Sequence, residues 1–254
     1  MNHLACLTLG SLVATAACSS SHTVAPEEYD DTAQAIGSTT ASGAGGGDIA
    51  AMSDVLIIAR GDLPFGFTLA ADGHVRGARL GLDYNYALTC KDTAGTTLPS
   101  CGETTDRLDV SLTLSGTLIT TGLDASLSRE GSWTVTGMQS ATTTFNGNGS
   151  FDFDATIRSV FRPGVVATYS FAYDASYDAV LIDSESHQAI GGSASFDASA
   201  RHTVTGTNHD RDVRFDISAE IEFHANHTAS LVLDGDQRYS LDLETGAVIR
   251  ASAH

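Results

Sequence analysis

The chain predicts an all-β fold, an antiparallel meander of about ten to thirteen strands. Three observations predict it. Apolar and polar residues alternate with period two through most of the chain from about Met52 onward. Turn signals built on Gly, Asn and Asp recur between the alternating runs. No amphipathic helical period is evident after residue 50. Successive side chains of a strand point to opposite faces, so each run has one wet face and one buried face. A sheet with one apolar face and no helix to cover it closes as a barrel or half-barrel, or folds over as a sandwich. Roughly 200 residues suffice for one such domain and its core.

The chain opens on an apolar run from Leu4 to Ala17, closed by Ala16-Ala17-Cys18-Ser19. Its length suits the apolar region of an export signal, about 7–15 residues, and falls short of the roughly 20 that cross a bilayer. Small residues before Cys18 and serines after it resemble the signal peptide of a bacterial lipoprotein. The resemblance covers only this leader. It implies that residues 1–17 are removed, that Cys18 becomes the first residue, and that its sulfur carries a diacylglycerol. Ser19 in place of Asp implies, within the same family, an outer-membrane destination in the cell envelope; the facing side is unassigned. Thr15 stands where the family usually has Leu, and an ordinary secretory signal cut near Ala17 is the alternative. Two or three acyl chains at one end give stable attachment to a membrane.

Residues 18–50 read as a lipidated cysteine followed by a flexible tether. They are rich in Ser, Thr, Ala and Gly and end in Gly43-Ala44-Gly45-Gly46-Gly47. Such composition buries too little apolar surface to offset chain entropy. Residues 26–36 form at most a transient helix after Pro26. Residues 51–254 then make a single antiparallel β domain.

Within that domain, Leu108, Val110, Leu112 and Leu114 alternate with Asp109, Ser111 and Thr113. Phe151, Phe153, Ala155 and Ile157 alternate with Asp152, Asp154 and Thr156. Val213 to Phe223 and Tyr239 to Glu244 repeat the scheme. Turns are expected at Ala71-Asp72-Gly73-His74, Asn146-Gly147-Asn148-Gly149, Arg162-Pro163-Gly164, Leu233-Asp234-Gly235-Asp236 and Glu244-Thr245-Gly246, all tolerant of positive φ. Trp133, the only Trp, alternates with Val135 toward the apolar side and is expected in the core.

Of four cysteines, Cys6 lies in the leader and Cys18 is the proposed anchor. Cys90 and Cys101 remain, flanking a hairpin-like loop, and an exported chain meets an oxidising compartment, so they are expected to form a disulfide. The formal net charge is −18, with a single Lys. No basic patch exists for nucleic acid, and an anionic membrane would repel the chain, so attachment falls to the lipid.

Nothing resembles a nucleophile elbow, a phosphate loop or a zinc-protease motif. His224 and His227 are weak metal candidates. Three residues apart on a strand, they face opposite sides unless Ala225-Asn226 turns the chain, and exposed histidines at a hairpin tip are the favoured reading. His202 and His209 flank another turn and receive the same reading. Asp152 with Asp154, and Glu220 with Glu222, form same-face carboxylate pairs, read as a solvated acidic face rather than a calcium site. No cofactor is expected. The sequence thus predicts a lipid-anchored cell-envelope domain with a structural or binding role and no catalytic activity. Its partners would be the membrane, through the anchor, and an apolar ligand or envelope protein. A carrier of a lipid or other apolar molecule in a barrel interior is the second reading, and a transmembrane β-barrel the third.

Overall fold

A computed structural model describes residues 24–43, 47–120, 123–158, 166–206 and 211–251. Two helices, α1 (Pro26–Thr40) and α2 (Asp48–Ala59), precede twelve strands. The strands are β1 (Phe67–Leu69), β2 (Val75–Arg79), β3 (Leu82–Lys91), β4 (Arg107–Thr120), β5 (Leu123–Thr136) and β6 (Thr142–Arg158). They continue as β7 (Val166–Asp183), β8 (Ala189–Thr205), β9 (Arg211–His224), β10 (Thr228–Leu233), β11 (Gln237–Asp242) and β12 (Val248–Arg250). All twelve form one sheet in chain order, every neighbouring pair antiparallel. The predicted meander is therefore present, with a strand count inside the expected range. The sheet does not close: β1 and β12 are its two edges and do not pair with each other.

Alternation sets which face is covered. Along β9, Phe215, Ile217, Ala219, Ile221 and Phe223 are buried, and the residues between them are exposed. The same face of β4 buries Leu108, Val110, Leu112 and Leu114. Instead of a second layer of strands, two helices cover this face.

Here the structure corrects the expectation of a flexible tether to residue 50 and of strands from Met52. Pro26 starts α1, and the Glu28 carboxylate accepts from the Ala25 N–H at 2.7 Å. The helix buries Ala33 and Ile36 and rests on β10, β11 and β12. Gly37 permits this approach, because a Cβ there would lie 2.7 Å from the Gly246 carbonyl oxygen. The second helix buries Ile49, Ala51, Met52, Val55, Leu56, Ile58 and Ala59. Its sequence is apolar nearly all round, so it carries no amphipathic stripe to reveal it. A helix of that kind is stable only when surrounded, and the curled sheet surrounds it.

A second correction concerns Asn146-Gly147-Asn148-Gly149. These residues lie inside β6, not at a turn. Gly147 faces Trp133 across the ladder, and the β6–β7 register shifts beside it. A Cβ at Gly147 would lie 2.1 Å from the Ser132 carbonyl oxygen, so the glycine marks a bulge with a close backbone approach. Trp133 is buried, edge-on to Phe145 and Tyr177. The turns at 71–74, 233–236 and 244–246 fall between strands as expected, and 162–164 lie outside the described residues. Cys90 and Cys101 are disulfide-bonded, with Cα atoms 5.3 Å apart. Closing a loop this short stabilises the fold by roughly 2–3 kcal/mol.

Candidate binding cleft

The concave face has two parts. One is filled by the helices. The other, toward the β2–β3, β4–β5, β6–β7 and β8–β9 connections, holds an open apolar cleft of about 270 Å³. Register explains the cleft. Leu127, Phe153 and Phe171 are consecutive cross-strand partners on β5, β6 and β7. Leu82 of β3 and Leu114 of β4 extend the wall, Phe151 and Tyr169 flank it, and Ala35, Ser38 and Thr39 of α1 form the opposite side. Alternation points all the strand residues inward; Leu82, Leu114, Phe151 and Phe171 are buried, and Leu127, Phe153 and Tyr169 stay half-buried at the opening. Ser38 and Thr39 are the only aliphatic hydroxyls in the lining, so the site offers dispersion and desolvation but little polar recognition.

Charge lies directly behind this apolar wall. Arg129 of β5 and Asp48 of α2 are 2% and 3% exposed and pair at 3.2 Å. Arg129 also donates to the Thr39 carbonyl oxygen at 2.8 Å and to the Tyr173 hydroxyl at 2.7 Å. That hydroxyl donates to Asp48 at 3.3 Å. The guanidinium sits over the Phe151 ring at 5.3 Å. Burial pushes the Asp48 carboxyl up, against the pull of Arg129 and two tyrosine hydroxyls. Burial also works against the Arg129 charge, but Asp48 and the neighbouring phenols more than offset it. Arginine does not give up its proton in proteins, so the carboxylate bears the cost of desolvation. Burial likewise raises the Tyr173 and Tyr177 phenols well above their ordinary range.

A second clamp holds α2 further along. Asp54 accepts from both terminal nitrogens of Arg79, at 3.0 and 3.1 Å, and from the Tyr86 hydroxyl at 3.1 Å. Burial raises the Asp54 carboxyl too, against the pull of Arg79. These buried contacts position the helices, and through Thr39 and Phe151 they fix two sides of the cleft. At its rim, burial pushes the Tyr169 phenol up to about 12, and its ring meets His202 with centroids 6.5 Å apart.

The residues singled out in the sequence fall elsewhere. Cys18 and His209 lie outside the described residues. His224 and His227 stand at the β9–β10 hairpin tip, where His224 Nε2 lies 2.9 Å from the Ser230 hydroxyl and His227 has φ +61°. Among the described residues no three His, Cys, Asp or Glu side chains are grouped to hold a metal. Asp152, Asp154, Glu220 and Glu222 are on the exposed face, and Asp154 accepts from Ser170 at 2.6 Å. One contact resembles a nucleophile beside its base: Ser53 Oγ lies 3.3 Å from His187 Nδ1. The nearby Asp183 carboxylate instead caps its own turn, accepting from the Ser186 N–H at 2.7 Å and the Glu185 N–H at 3.2 Å. Among the described residues no hydrogen-bonded group orients the imidazole, so the pair does not form the arrangement of a catalytic triad.

Sequence reasoning missed the cleft because its walls come from α1 and five strands. The available signal was two aromatic alternations, Phe151-x-Phe153 and Tyr169-x-Phe171, which register brings side by side. Comparison of the chain with protein-family models, with curated proteins and with solved structures finds no match.

Proposed function

We propose that this chain is an exported, lipid-anchored binding protein of the cell envelope that holds an apolar ligand in the cleft between α1 and the sheet. One observation carries the reading: an open apolar cleft of about 270 Å³, walled by Leu82, Leu114, Leu127, Phe151, Phe153 and Phe171. A protein that gained nothing from this space would collapse it, because an unfilled apolar lining forfeits contacts on one side. The leader supports export and anchoring through Cys18. A spanning β-barrel finds little support, since such a barrel must close to satisfy its edges and this sheet is open.

Titration of the Cys18→Ser chain with 1-N-phenylnaphthylamine, an uncharged apolar fluorophore, tests the reading. Saturable one-to-one binding is expected, lost in Ser38→Phe, which places a ring in the cleft from a half-buried flank of α1. Absence of saturable binding, or binding unchanged by Ser38→Phe, sinks it.

A further inference from the structure

Two large apolar side chains stand in solvent beside the cleft. Phe65 is 95% exposed and Leu80 is 84% exposed. They meet at one corner: Arg79 Nε donates to the Phe65 carbonyl oxygen at 3.4 Å, and Leu80 follows Arg79 in the β2–β3 turn. Leu80 has φ +52° and Gly81 φ +82°. A two-residue turn with both φ values positive favours Asn or Asp at the first position. A leucine there is both strained and exposed, and Phe65 beside it makes the exposure a paired one. Leu82, two residues on, lines the cleft.

We propose that this corner inserts into a neutral lipid surface, so that the cleft opens toward a membrane and receives a single acyl chain from it. The proposal rests on the cleft reading for the chain's destination. Three further facts support it. The formal charge of −18 makes an anionic surface repulsive and leaves a neutral one permitted. Near the start of α1, Glu28 reaches Arg211, the first residue of β9, on the same rim of the sheet as the corner. Only seven residues separate Cys18 from Pro26, a reach of at most about 29 Å. An acyl anchor at Cys18 would therefore hold this rim toward the lipid.

Phe65→Trp tests the insertion at its own position, with buried Trp133 as a constant background. Adding phosphatidylcholine vesicles to the Cys18→Ser chain is expected to shift the added indole's emission to the blue. Bromine on the acyl chains should quench it. Vesicles rich in phosphatidylglycerol should give a weaker response. Phe65→Ser with Leu80→Asn should lower vesicle partitioning by about tenfold or more, from the lost burial of two side chains. Both substitutions suit exposed positions, and Asn suits the turn, so the thermal midpoint should not fall. An indole that stays solvent-quenched in the presence of vesicles overturns the proposal. Ser38→Phe separates it from the cleft reading: insertion should persist while fluorophore binding is lost. Insertion without fluorophore binding in the parent would leave the corner standing and remove the chain's destination.

Discussion

The two helices are fastened to one sheet by similar chemistry in opposite surroundings. On α1, Asp30 pairs with Arg250 at 2.8 Å, with both side chains about half exposed. Water screens such pairs, and their worth is small. On α2, Asp48 and Arg129 are sealed from solvent. A sealed pair is costly to build and still more costly to break, because removing one partner strands the other charge. The contrast teaches that α1 leans chiefly on shape, through the glycine approach to Gly246 and β12, with only its last turn tied to Arg129 at Thr39, whereas α2 is held by the charge network itself. The cleft lies where these two attachments meet.

The largest expected effect comes from breaking the sealed pair. Asp48→Ala should cost about 3–5 kcal/mol by denaturant unfolding, since Arg129 then loses its buried carboxylate. Adding Arg129→Met should recover much of that loss; a double variant as unstable as the single one would show that burial of charge is not the cause.

Next is the shape attachment. Gly37→Val puts carbon against the Gly246 carbonyl oxygen, Val248 and Leu241, and should cost about 1–3 kcal/mol. A smaller effect concerns pH. The native Asp54 carboxyl sits above its ordinary value of 3.8, so the folded chain binds that proton more tightly than the unfolded chain. Its favourable contribution is present below 3.8 and lost as pH rises through the native value. Asp54→Asn should therefore flatten the fall in stability as pH rises above about 4, measured as unfolding midpoints against the parent. The smallest effect is Asp30→Asn, for which no resolvable change in midpoint is expected in physiological salt. A clear loss there would reverse the contrast between the helices.

The strands were legible because period two is a local property: Val213 to Phe223 needs no partner to declare its buried face. The helices were not, for opposite reasons. Ile49 to Ala59 is apolar nearly all round apart from Ser53 and Asp54, and Pro26 to Thr40 is diluted by Ser, Thr and Gly. Composition hid both, since each is defined by what surrounds it. The glycines at 147 and 149 look like turn residues, yet they sit opposite Trp133 and Gly131 in the ladder. Only the position of the indole across the strands reveals their use. The disulfide was legible from count and context. The cleft was not, because Leu82 and Phe171 become neighbours only after the meander has placed them.

The contact between the first helix and the last strand has a consequence for the order of assembly. Asp30 and Arg250 are 220 residues apart in the chain. The ladders from β1 to β9 can zip by successive hairpins as residues become available, each closing a short loop. Helix α1 completes its docking only when β10, β11 and β12 exist. Loop closure over such a separation is late and slow. The α1 side of the cleft is therefore set last, after β10 to β12 have formed, and until then the apolar trough is only half covered.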